Sequence, residues 1–212
     1  MIMPLYVRRT ACITGRTASV DGKEIPVPAG DGRFLTSLYR ALQTDYPKFF
    51  KMDHLSKLGF LASELLFREE EVRFVPREDC AVICFNRSAS LDTDTLYQAS
   101  IGRDGDYFPS PSLFVYTLPN IVTAEIAIRN KLYGETSFYI CKEFNVQQLY
   151  GTVKNTFADA HIRSALAGWT EYGGERCEAF MMQIETLPAS ESDPLFSVEF
   201  LTTVKHKYMY HG

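Results

Sequence analysis

The sequence predicts a layered α/β fold in which a sheet is buried between helices, and three observations lead there. Strand-like and helix-like segments alternate along the chain rather than forming separate blocks. Cys80–Asn86, reading Cys-Ala-Val-Ile-Cys-Phe-Asn, is a short continuous apolar run, as expected of a strand covered on both faces. Met52, Leu55, Leu58, Gly59, Ala62, Leu65 and Leu66 recur at three- and four-residue steps, which places an apolar stripe along one helix.

In chain order, Leu5–Ile13 is rich in Val, Ile and Tyr and ends at Thr14-Gly15, a strand running into a turn. Asp21–Gly32 carries two prolines and three glycines and reads as a loop. Phe34–Leu42 has the apolar spacing of a short helix. The 52–66 helix follows, with Asp53 as its N-cap or first-turn carboxylate, favourable at the positive end of the dipole. Gly59 in mid-helix costs about 1 kcal/mol relative to Ala and points to close approach of another backbone.

Beyond the buried strand, Ser88–Gly105 is polar and reads as a solvated loop. Its aspartates, Asp92, Asp94 and Asp104, with Asp106 just beyond, lack the terminal glutamate and spacing of a calcium loop. Tyr107–Asn120 contains three prolines, the last of which, Pro119, sits where a helix can begin. Ile121–Leu132 is a second amphipathic helix, stopped by Gly134. Thr136–Cys141 is a strand, Val146–Ala160 a helix, and Ile162–Trp169 and Ala179–Thr186 are strands, with Gly173-Gly174 as a turn. Phe196–Val204 fits either strand or helix. No repeat or linker divides residues 1–212, so one domain is expected.

Composition excludes several function classes. With 46% hydrophobic and 23% charged residues the chain is that of a folded domain, not a disordered one. A net charge of -4 with scattered Lys and Arg argues against nucleic acid or an anionic membrane surface as partner. No apolar stretch reaches the length of a membrane span or a signal sequence, so a cytoplasmic protein is expected. The five cysteines, Cys12, Cys80, Cys84, Cys141 and Cys177, form no CxxC pair or zinc spacing. Reduced thiols are expected, with no metal and no cofactor. Neither Gly-x-Ser-x-Gly nor Gly-x-Gly-x-x-Gly occurs, which removes the commonest signatures of serine hydrolases and dinucleotide binders.

One block is more specific. Phe108-Pro-Ser-Pro-Ser-Leu-Phe-Val-Tyr-Thr-Leu-Pro-Asn120, then Glu125-Ile-Ala-Ile-Arg129, then Leu132-Tyr-Gly-Glu135, resembles the β-ketoacyl synthases of the thiolase-like superfamily. There a proline–aromatic loop leads to a Leu-Pro-Asn helix start, a glycine, and the strand that carries the nucleophilic cysteine. Val7–Gly15, Met52–Leu66 and Ala165-Leu-Ala-Gly-Trp-Thr-Glu171 fall in family order around it, so the resemblance spans roughly residues 5–171. It implies a thiolase-like half-fold, layered α-β-α with a mixed sheet.

The chemistry of that family needs a cysteine at a helix N-terminus, where the dipole lowers its pKa, and two His, or a His and an Asn, to drive decarboxylation. An ungapped count from Gly134 puts Glu143 at the nucleophile position; a two-residue deletion puts Cys141 there instead. Glu143 forms no thioester, and either a first-turn capping role or the role of the Gln found there in decarboxylating or chain-length-setting relatives is open to it. None of the histidines, His54, His161, His206 or His211, stands in a family motif. The resemblance therefore implies a non-catalytic accessory or chain-length-type partner in fatty-acid or polyketide biosynthesis, of aryl-polyene or flexirubin type. Its implied partners are an acyl carrier protein and a full-length ketosynthase, in a homodimer or heterodimer. Two alternatives stay open: a small acyltransferase or condensing enzyme using Cys141, and an unrelated binding module on the same fold.

Overall fold

The computed structural model describes residues 3–28, 34–101 and 109–209. Its centre is a seven-stranded mixed sheet in the order β3-β2-β1-β7-β6-β4-β5. The strands are β1 (Tyr6–Ile13), β2 (Ala18–Val20), β3 (Lys23–Glu24), β4 (Cys80–Asn86), β5 (Thr136–Ile140), β6 (Ser164–Gly173) and β7 (Arg176–Glu185). β5, β4 and β6 run parallel, while β7, β1, β2 and β3 follow in antiparallel pairs. Every residue of β4 is buried, as its unbroken apolar run requires of a central strand.

The sheet is covered on both faces. On the first face lie α1 (Phe34–Ala41), a 3-10 turn at Pro47–Lys51, α2 (His54–Phe67) and α5 (Ile121–Asn130), whose Leu38, Phe49, Leu58, Leu65 and Ile126 pack on Val82, Leu166 and Met181. On the second lie α6 (Val146–Thr156) and α7 (Val198–Met209), whose Leu149, Val153, Leu201 and Val204 pack on Ile83, Trp169, Phe180 and Ile184. The order of layers is thus α-β-α. α2 begins as its sequence promises, with the Asp53 carboxylate accepting from the Ser56 N–H at 2.9 Å.

Several expectations need correction. The 21–32 loop contains the turn of a hairpin: Val20 pairs with Lys23, and the intervening Asp21 and Gly22 have φ of 50° and 75°. Asp-Gly with two positive φ values is the two-residue turn that matches strand twist, a signal present in the sequence. Residues 29–33 of that loop lie outside the described residues. The polar stretch 88–105 is not a loop throughout but carries α3 (Leu91–Ile101), of which only Thr93 is buried. With so little apolar area covered, α3 has no periodicity to read; polar bonds from the body hold it. Asp53 accepts from the Thr93 hydroxyl at 3.0 Å, and His54 Nδ1 meets Asp92 at 3.0 Å. Of the same stretch, 102–105 lies outside the described residues, as do Asp106, Tyr107 and Phe108.

The proline-rich stretch also holds α4 (Pro111–Tyr116), N-capped by Ser110 with proline in the first turn. α5 ends at Asn130, short of Leu132, and its stop is not Gly134 but the C-cap Lys131, itself left-handed at φ 54°. α6 stops at Thr156, short of Ala160, and the two late strands extend to meet in a hairpin through Gly173-Gly174. The C-terminal segment is helix. Gly59 is approached by the Val122 side chain of α5, not by a backbone; close backbone approaches are at Gly134, where a Cβ would collide with the Cys80 carbonyl, and at Gly168, where it would collide with the Phe180 carbonyl and Met181 Cα. Among the described residues, no helix is long and apolar enough to cross a membrane.

Candidate functional site

The carboxyl ends of the parallel strands, where open α/β sheets present their chemistry, bring together Cys141 after β5, Arg87–Ser90 after β4 and Glu171 in β6. The Cys141 N–H donates to the Asn86 carbonyl at 2.8 Å, tying the strand ends to each other.

The Arg87–Ser90 loop is held by two polar side chains from the strands. Glu171 is fully buried, and its Oε2 accepts from the backbone N–H of Arg87 at 2.7 Å and of Ser88 at 3.2 Å. Asn86, also fully buried, donates to the Thr170 carbonyl at 2.9 Å and accepts from the Ala89 N–H. Ala89 is left-handed, with φ of 52°, an uncommon state for a residue with a Cβ, and the Asn86 bond fixes it. Charged and amide groups this deep persist only when bonded, so Asn86 and Glu171 are the organisers of this loop. Composition did not single out either residue. The signal was a polar residue closing an apolar run: Asn86 after Ala-Val-Ile-Cys-Phe, and Glu171 two places after Trp169.

Cys141 and Glu143 lie in the bend between β5 and α6. The Cys141 Sγ donates to Gln148 Oε1 at 3.3 Å, and its thiol packs toward the second-face core beside Tyr139 and Val146. Burial raises its pKa above the ordinary value; the Gln148 bond opposes that only in part. An activated nucleophile needs the opposite shift, with a base or cation favouring the thiolate. Glu143 is exposed and stands two residues ahead of the α6 N-cap. The capping bond is made by Asn145, whose Oδ1 accepts from the Gln148 N–H at 3.0 Å, so the first-turn capping role proposed for Glu143 belongs to Asn145.

The histidines are dispersed. His54 reaches the same end of the sheet, but on the α2 face, where its ring stacks on Tyr172 with centroids 4.5 Å apart and its Nδ1 meets Asp92. The sheet separates it from Cys141, which packs on the α6 face. His161 lies beside Glu78, Gly134 and Asp159 at the amino end of the parallel strands. His206 is in the last turn of α7, and His211 lies outside the described residues. The side-chain partner of the Cys141 thiol is the Gln148 amide, not an imidazole.

No family model matches the sequence, and no curated protein matches it. Solved structures do. The ishigamide ketosynthase/chain length factor superposes with a TM-score of 0.66 at 14% identity, covering 89% of this chain and 63% of that one. A ketosynthase in complex with its chain length factor from Xenorhabdus doucetiae gives 0.56 at 13% identity, covering 89% and 81%. A type II polyketide synthase acyl-carrier protein in complex with its ketosynthase bound to the hexaketide gives 0.58 at 11% identity, covering 86% and 62%. The chain thus spans less than two thirds of the first of these. Over the part it covers, it has the fold of these ketosynthase and chain length factor structures.

Proposed function

We propose that the chain is a non-catalytic, chain-length-type partner of a ketosynthase in polyketide or fatty-acid biosynthesis. The observation that carries this reading is the setting of the Cys141 thiol: in a ketosynthase-type fold, at the carboxyl end of β5, it donates to the Gln148 amide oxygen at 3.3 Å, and burial shifts its pKa up where an activated nucleophile needs it lowered. Glu143, at the ungapped nucleophile position, cannot form an acyl thioester. Both features favour a structural role in a condensing pair over catalysis within this chain.

Pairing fits the edge of the sheet. Among the described residues β5 bonds only to β4; it is half-exposed, and its last residue Ile140, with Ile128 and Tyr133 of the neighbouring α5 region, is largely open to solvent. An unpaired edge flanked by apolar side chains is a template for a second chain. The resemblance to synthases that dimerise through this region makes a full-length ketosynthase, or a second copy, the fitting occupant, with an acyl carrier protein visiting the pair. Size-exclusion chromatography with light scattering, on the chain alone and mixed with a ketosynthase of the same source, tests it. A dimer in either condition supports the reading, and a strict monomer in both defeats it.

The reading as a small condensing enzyme using Cys141 requires a base that lowers the thiol pKa, and the bond to Gln148 does not supply one.

A further inference from the structure

A groove of about 750 Å³ opens between α3 and the β6–β7 hairpin, walled at its back by Arg87 and Ser88. Two features of its lining stand out chemically. Arg87 and Arg176 face it from opposite sides in sequence, both exposed, and among the described residues neither guanidinium is in an ion pair. The chain has more carboxylates than cations, and its less exposed arginines Arg73, Arg77 and Arg129 are all paired. The lining also holds two carboxylates, Glu175 and Asp92, the latter bonded to His54 Nδ1 at 3.0 Å.

The second feature is apolar. Leu91 and Leu96 line the same groove from two adjacent rows of α3, Leu91 in line with Thr95 and Leu96 in line with Asp92. They are 61% and 48% exposed on a helix that buries only Thr93. The site is also anchored: the backbone of Arg87 and Ser88 is bonded to the buried Glu171, so the start of the Arg87 side chain is fixed before any ligand arrives.

We propose that this groove binds an oxyanion carried on an alkyl chain, a phosphate monoester or a carboxylate. Arg87 and Arg176 take the head group, through the forked geometry that suits either anion, and Leu91 and Leu96 cover the chain. Glu171 is a positioning residue that acts through the Arg87–Ser88 backbone. The inference does not rest on the pairing reading: a chain that never met a ketosynthase would still bind the ligand.

Isothermal titration with octyl phosphate and octanoate tests it, with inorganic phosphate and octanol as head-only and chain-only probes. Saturable one-to-one binding of at least one octyl anion is expected, with weaker binding of both controls. Arg87→Ala and Arg176→Ala are each expected to weaken it about tenfold. Leu96→Ser is expected to weaken the octyl anions while leaving inorganic phosphate unchanged. All three positions are exposed, so circular dichroism should show an unaltered fold. Binding of octyl phosphate alone assigns a phosphate head, and binding of octanoate alone a carboxylate. The proposal is overturned if neither octyl anion saturates, if the double arginine variant binds as the parent does, or if octanol matches the anions.

Discussion

Truncating Leu201 to alanine measures how the second face of the sheet is sealed. In this fold type an uncovered sheet face must be closed by something, and here α7 closes it from within the chain, with Phe196, Leu201 and Val204 buried beside α6. Leu201 has no exposed surface. Removing its three terminal carbons forfeits about 0.8 kcal/mol of transfer free energy for each. The cavity adds to that, because neighbours on two helices and a sheet relax only partly, giving about 3–4 kcal/mol in all. Equilibrium urea unfolding followed by tryptophan fluorescence reads it directly, since Trp169, the single tryptophan, lies in the same cluster. A midpoint shift with unchanged slope, worth about that much, is expected. A loss under ~1 kcal/mol would refute the reasoning, because it would mean that α7 does not seat on the sheet.

Other outcomes follow from single contacts. Gly168→Ala is expected to cost about 1–3 kcal/mol by driving a Cβ into the Phe180–Met181 backbone, read as a lowered melting temperature. The native fold holds the thiols of Cys12 and Cys177 up to about 11 and that of Cys84 up to about 12, against an ordinary 9.0, through burial first. Between 9.0 and 11 the unfolded chain has therefore shed protons that the native chain still keeps, so stability falls as pH rises through that window. Urea midpoints at stepped pH check the sign, and a stability that rose with pH there would contradict it. Cys141 is expected to alkylate with iodoacetamide more slowly at pH 7.5 than a cysteine in a short peptide, measured by peptide mass spectrometry.

What the sequence disclosed and what it hid divide along physical lines. Segments whose burial is set by many apolar side chains announced themselves: β4 as an unbroken run, α2 as a stripe with its Asp53 cap, β5 within one residue. α3 did not, because a helix that buries only Thr93 carries no period, and it is held by Asp53 and His54 from another part of the chain. The β2–β3 hairpin was legible in Asp21-Gly22 and was masked by the prolines and glycines that follow. At the candidate site, Cys141 and Glu143 were located by counting, and the bend between β5 and α6 contains both. Glu171 and Asn86 were not recognised as organisers, because their role depends on pairing between β4 and β6, which is 84 residues distant in sequence.

Intact-mass spectrometry tests the central claim most directly. The chain is incubated with malonyl- and acyl-loaded carrier protein in the presence of a ketosynthase, and each polypeptide is weighed. The account predicts an acyl adduct on the ketosynthase and an unmodified mass for this chain. An acyl adduct on this chain that disappears in Cys141→Ala would contradict it.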